Sequence, residues 1–165
     1  EIVILLSYQI LHGTVYTGIG FIVASFMFGL AAGSLAASRI IERGGRIGKG
    51  TLLGLEAAIL AYTVIYMLAL AFGRGLMTDP AFAVLTAVIG VLTGAEFPVA
   101  ARLISSSPGD TAGSLYAADL FGASLGAAAV SLFLIPAAGI YMTCLILLAI
   151  KILMITGLAL WRSYA

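Results

Sequence analysis

An all-α integral membrane fold is what this sequence predicts. Three observations carry that prediction: 62% of its 165 residues are hydrophobic, only 9% are charged, and the apolar residues come in long unbroken runs. A soluble domain has about a quarter of its residues charged, so a water-facing surface cannot be assembled from so few. Lipid supplies no hydrogen-bond partners, which leaves helices or a closed barrel as spanning structures. Barrel strands would alternate apolar with polar residues, and these runs do not, so helices are predicted. One transmembrane domain over 1–165 is expected, a six-transmembrane-helix bundle with segments at 1–12, 19–41, 51–72, 80–104, 112–135 and 141–161.

The first segment, from Glu1 to His12, is shorter than the roughly 20 residues a crossing takes and reads as the second half of a helix. Glu1 leads straight into apolar residues with no basic flank, which is not a signal peptide. A free amine and a carboxylate at the head of a membrane helix are costly, so residues upstream of Glu1 are expected. Gly13, Thr14, Tyr16 and Gly18 predict a turn before the second helix. Glu42-Arg43-Gly44-Gly45-Arg46-Ile47-Gly48-Lys49 is a glycine-rich basic loop. The third helix stops at Gly73-Arg74-Gly75. Asp79-Pro80 opens the fourth, with Asp as cap and Pro in the first turn. Ser105 to Asp110 is a polar loop, the fifth helix is rich in small residues, and Pro136 with Gly139 predicts a tight connection to the sixth.

Orientation follows from the basic residues. Arg39, Arg43, Arg46, Lys49, Arg102 and Arg162 fall at one set of helix ends, with Arg74 alone at the other. The positive-inside rule then puts the Arg46 loop and both ends of the sequence in the cytoplasm. Tyr16, Tyr66 and Tyr141 at the outer ends, and Trp161 and Tyr164 at the inner, fit interfacial aromatic belts. A net charge of +1 leaves no nucleic-acid footprint. The single cysteine, Cys144, excludes an internal disulfide framework and a cysteine-based metal site. No nucleophile with its base, metal cluster, haem histidine pair or phosphate loop stands out, so no cofactor or catalytic residue is expected, and His12 at a helix end is expected to be solvated.

Four helices carry glycines four residues apart: Gly29 with Gly33, Gly50 with Gly54, Gly90 with Gly94, and Gly122 with Gly126. Each pair opens a flat stripe where a second backbone can approach, either within the bundle or at a dimer or partner surface. The ionisable residues inside the apolar segments say more, because each costs about 2.5–3.5 kcal/mol at mid-bilayer and seldom faces lipid. Glu56 follows Lys49, Glu96 precedes Arg102 and Asp119 follows Gly113 by intervals that put all three carboxylates roughly 9–10 Å from the cytoplasmic ends. Glu1 belongs at similar depth or deeper, and Lys151 near the middle of the last helix. Lys151 is expected to pair with Asp119 or Glu1, the other acids lining a cytoplasm-side cavity suited to a cationic or amine ligand or a proton relay. A purely structural Lys151–acid pair is the competing expectation. Pro98 should free a carbonyl near Glu96 and bend the fourth helix.

In sequence order, several strings carry a family likeness: Glu1 at the head of the first helix, Phe26-Met27-Phe28-Gly29-Leu30-Ala31-Ala32-Gly33-Ser34 in the second, and Glu96-Phe97-Pro98 in the fourth. Leu115-Tyr116-Ala117-Ala118-Asp119-Leu120-Phe121-Gly122-Ala123 follows in the fifth, then Leu134-Ile135-Pro136 with Gly139. Over almost its whole length the chain resembles the membrane region of bacterial spermidine-synthase-like membrane proteins. That resemblance implies a bacterial inner-membrane location and, in family members, a cytoplasmic aminopropyltransferase-like domain with a Gly-rich, Asp-containing donor loop. No such loop occurs here, so no enzymatic activity is carried over. Gly33 to Lys49 also resembles the loop between the second and third helices of major facilitator transporters, departing where that pattern has an Asp, at the place flanked by Ser38 and Glu42. Such transporters use two six-helix halves, so that likeness implies a dimer or a second half.

The functional expectation is a non-enzymatic membrane domain with an acidic cavity that binds or transports a polyamine or other small cation. The alternatives are an accessory or scaffold subunit, as a homodimer or with other membrane subunits, and the membrane anchor of a spermidine-synthase-like enzyme.

Overall fold

The computed structural model describes residues 1–13, 16–45, 47–72, 78–104 and 110–160. Its element order is α1 (Ile2–His12), α2 (Tyr16–Glu42), α3 (Lys49–Phe72), α4 (Asp79–Ile104), α5 (Asp110–Ala128), a π-helical segment (Ala129–Leu134) and α6 (Ile135–Leu160). Arg46, Arg74, Trp161, Arg162 and Tyr164, and the turn and loop residues at 14–15, 73–77 and 105–109, lie outside the described residues.

Local chemistry sets the helix ends. Gly13 closes α1 at φ 77°, its N–H donating to Gln9 O. At the end of α2, Gly44 takes φ 77°, its N–H reaching Ile41 O at 3.1 Å while the Gly45 N–H reaches Ile40 O at 3.0 Å. These two bonds satisfy carbonyls that the helix itself leaves open. The helix Asp79–Ile104 starts one residue earlier than the sequence suggested, placing Asp79 in the first turn beside Pro80. It continues through Pro98 without interruption.

Among the described residues, four stretches are long and apolar enough to cross a membrane: Tyr16–Glu42, Lys49–Phe72, Asp79–Ile104 and the 48-residue Gly113–Leu160. By length and composition alone, six separate spanning helices are not counted among the described residues. Ile2–His12 has only 11 residues, the short first helix that the sequence predicts, and the fifth and sixth helices fall within one apolar stretch that the non-helical Gly139 divides. Helix runs on through Pro136, directly after the π-helical segment, where the Ile135 N–H reaches back five residues to Val130 O. The interruption narrows to Gly139, at φ 74° and ψ 174°.

The long apolar helices make this a multi-pass membrane protein, and their surfaces agree: Phe28, Phe72, Phe133 and Leu153 are 76%, 88%, 69% and 72% exposed. So much bare hydrocarbon suits lipid.

Helix directions can be read from side-chain contacts. Gly29 faces the Ala87 carbonyl and Gly33 the Val91 carbonyl, so α2 and α4 run parallel, pressed together along one seam. Tyr141 Oη donates to Leu70 O at 3.1 Å, Lys151 Nζ to Glu56 at 2.6 Å and Lys49 Nζ to Ala159 O at 3.1 Å. Residue numbers rise along α6 as they fall along α3, so these two are antiparallel. Tyr116 on α5 meets Phe97 at a centroid distance of 6.1 Å, at the end that holds Glu56. The chain thus travels from that end along α5, turns at Gly139 and returns along α6.

A buried cluster of Ile4, Tyr8, Ile22, Tyr66, Leu70 and Phe82 fills the other end. Tyr66 is 3% exposed and belongs to this core, which corrects its assignment to an interfacial belt. His12 is more than solvated: it stacks on Tyr8 at 4.8 Å, with Nε2 3.8 Å from Asp79 Oδ1.

Candidate functional site

Three helices bring charge together. Glu56 lies in the first third of α3, Glu96 two turns before the end of α4 and Lys151 in the second half of α6. Because α3 runs antiparallel to α6, with Tyr141–Leu70 and Lys49–Ala159 as fixed points, the register sets Lys151 opposite Glu56. Lys151 Nζ lies 2.6 Å from Glu56 Oε2 and 3.7 Å from Glu96 Oε1. The first is a charge-assisted hydrogen bond; the second is an ion pair too long to be one. Glu96 Oε1 is buried with no hydrogen-bond partner among the described residues. The side chains of Lys151, Glu56 and Glu96 are 27%, 12% and 21% exposed.

The expectation that Lys151 pairs with Asp119 or Glu1 is therefore corrected. Depth along the helices placed the carboxylates in a common layer, but it carried no information about which helix α6 lies against. Asp119 is exposed and reaches the wall of the same cavity from α5. Glu1 lies in the wall of a different cavity, which it shares with Lys151.

The first cavity, of about 460 Å³, is bounded by Glu56, Glu96, Asp119 and Tyr116, with Leu30, Ser34, Leu52, Thr93, Gly94, Phe97, Ala100 and Leu115 completing its wall. It contains three carboxylic side chains, and the nearest amine, Lys151, already sits on two of them. Pro98 has no N–H to offer the Gly94 carbonyl one turn back, and Gly94 is part of this wall. The second cavity, of about 320 Å³, is mainly apolar and includes Tyr62, Tyr66, Ile4, Phe26, Ile89 and Met154. Lys151 belongs to it, and Thr93 borders both cavities. A third, of about 280 Å³, lies by Ser7, Leu70, Gly139 and Tyr141.

The glycine pairs divide. Gly29, Gly33, Gly90 and Gly94 are buried in the α2–α4 seam, where an added methyl would strike the opposing backbone. Gly50, Gly54, Gly122 and Gly126 have open space where a methyl would go. Arg39, Arg43, Lys49 and Arg102 gather at the end that holds Glu56, because α2 and α4 finish there and α3 begins there.

Tyr62 and Tyr66 went unremarked as site residues in the sequence. Their rings stack at 6.4 Å and 8°, and the Tyr62 hydroxyl donates to Leu85 O at 2.8 Å. The available signal was spacing: Glu56, Ile59, Tyr62, Tyr66 and Leu70 recur at helical intervals and share a face of α3. Among the described residues, no group of three or more His, Cys, Asp or Glu side chains is placed to hold a metal ion.

Comparison with known proteins finds no matching family model, no matching curated protein and no matching solved structure.

Proposed function

We propose that this chain is a membrane domain that binds a small organic cation, an amine above all, between Glu56 and Glu96, for transport or for delivery to a soluble partner. The observation that carries this reading is Lys151 itself: an alkylammonium already lies against two carboxylates beside a 460 Å³ cavity that also holds Asp119. Acids outnumber the base there, so the site draws a cation toward the place that Lys151 holds. Groups this costly in a membrane are seldom placed without a partner or a task.

The proposal includes six passages through the bilayer region. A continuous stretch of 48 residues would be about 72 Å long, more than twice the hydrocarbon thickness. Its reversal at Gly139 makes it two crossings, and Ile2–His12 adds a partial one. The basic cluster of Arg39, Arg43, Lys49 and Arg102 supports a cytoplasmic Glu56 end by the positive-inside rule.

The direct test is equilibrium binding of putrescine to the protein in zwitterionic nanodiscs, where no anionic lipid competes. Glu56→Gln and Glu96→Gln should each weaken binding by about tenfold, equivalent to about 1.4 kcal/mol. Unchanged affinity in both variants would remove the proposal. A scaffold role is favoured by a different observation, the open small-residue face of α5 around Gly122 and Gly126. Native mass spectrometry separates the two readings, since a scaffold would hold a fixed partner or a second copy and show no amine binding.

A further inference from the structure

Tyr66 is an anomaly in the second cavity. It is 3% exposed, yet its hydroxyl makes no hydrogen bond of normal geometry among the described residues, and the nearby Ser7 hydroxyl donates to Val3 O at 2.6 Å. Leaving a buried polar group unmet costs about 1–3 kcal/mol. The neighbouring tyrosine does not share this state, because the Tyr62 hydroxyl is committed to Leu85 O. The Thr63 and Thr93 hydroxyls are likewise committed, to Ile59 O and Ile89 O. Tyr66 is therefore the buried hydroxyl still available on this cavity, whose other walls are mostly apolar and whose volume, about 320 Å³, lies in the small-molecule range.

Thr93 lines both cavities, and Lys151, in the wall of the second, reaches Glu56 and Glu96 in the wall of the first. We infer that they form one bipartite site for an amine whose apolar body carries a hydrogen-bond acceptor. The ammonium takes the place of Lys151 Nζ against Glu56 and Glu96, the apolar body lies along the Tyr62 and Tyr66 rings, and the Tyr66 hydroxyl donates to the acceptor. Lys151 is a tethered version of the same ligand, an alkylamine that lines the apolar cavity while its ammonium reaches the acids. This rests on the reading of Glu56 and Glu96 as an amine site and adds what that reading lacks, a recognition element at the far end.

The test compares n-butylamine with N-acetylputrescine, which has the same four-carbon amine with an amide carbonyl beyond it. Binding is measured on the full chain in zwitterionic nanodiscs, with wild type and Tyr66→Phe. The wild type should prefer N-acetylputrescine by about fivefold, the value of one neutral hydrogen bond. That preference should vanish in Tyr66→Phe, which removes one oxygen and keeps the ring. If both amines bind and the ratio is the same in the two proteins, the bipartite site is wrong while the amine site stands. If neither amine binds the wild type, both fall together.

Discussion

At the Leu70 end, Tyr8, Ile22, Tyr66, Leu70 and Phe82 close on one another; at the Glu56 end, Glu56, Glu96 and Lys151 hold three helices around a cavity of about 460 Å³. The same helices build both ends. The first uses aromatic faces and edges, with Phe82 edge-on to Tyr8 at 5.3 Å and to His12 at 5.6 Å, and such contacts fill space. The second uses long charged side chains, which hold helices together while leaving room between the backbones. The first end is mostly filled by packing, apart from a cavity of about 280 Å³ beside Leu70 and Tyr141, whereas the second keeps its cavity beside charged groups.

Substitutions can break this contrast in order of expected size. Phe82→Ala should cost the most, about 4 kcal/mol, because a fully buried ring at the centre of the aromatic cluster is lost. Reversible unfolding in bicelles measures it, and a cost under about 1 kcal/mol would mean that this end is not sealed by packing. Lys151→Met should cost about 3 kcal/mol by leaving two carboxylates facing each other without their base. Adding Glu56→Gln should recover much of that loss, since the two residues act as a pair; additive losses would show that they do not. Gly33→Ala, where a methyl meets the Val91 carbonyl, should destabilise by about 2 kcal/mol. Gly122→Ala, at the same spacing in its own helix but facing open space, should change stability by less than about 1 kcal/mol and in the stabilising direction. Equal effects at Gly33 and Gly122 would erase the distinction between the closed and open stripes.

Much of the fold was legible because local chemistry decided it. Gly13, Gly44 and Asp79-Pro80 mark helix ends in the sequence and in the structure alike. The layer of Glu56, Glu96 and Asp119 was legible too, since rise per residue fixes depth, and all three reach one cavity. Azimuth was not legible. Nothing in the position of Lys151 says that α6 lies along α3, and only the antiparallel register identifies Glu56 as its partner. The glycine pairs illustrate the same gap: four identical spacings, of which Gly29–Gly33 and Gly90–Gly94 find each other and the rest do not. Tyr66 was read as interfacial because it lies near a helix end, whereas the facing helices bury it. Pro136 with Gly139 predicts a tight connection, and the chain leaves helical geometry there, at Gly139 alone.

On the proposed reading, Lys151 occupies the place that a cationic guest would take. The measurement that tests this most directly is putrescine affinity of Lys151→Met against wild type in zwitterionic nanodiscs, with folding of the variant verified by its circular dichroism and elution profile. Removing the resident ammonium should tighten putrescine binding by at least about tenfold, roughly 1.4 kcal/mol. Equal or weaker binding by a folded Lys151→Met protein would contradict the account and leave the Lys151–Glu56 contact as a structural tie between α6 and α3.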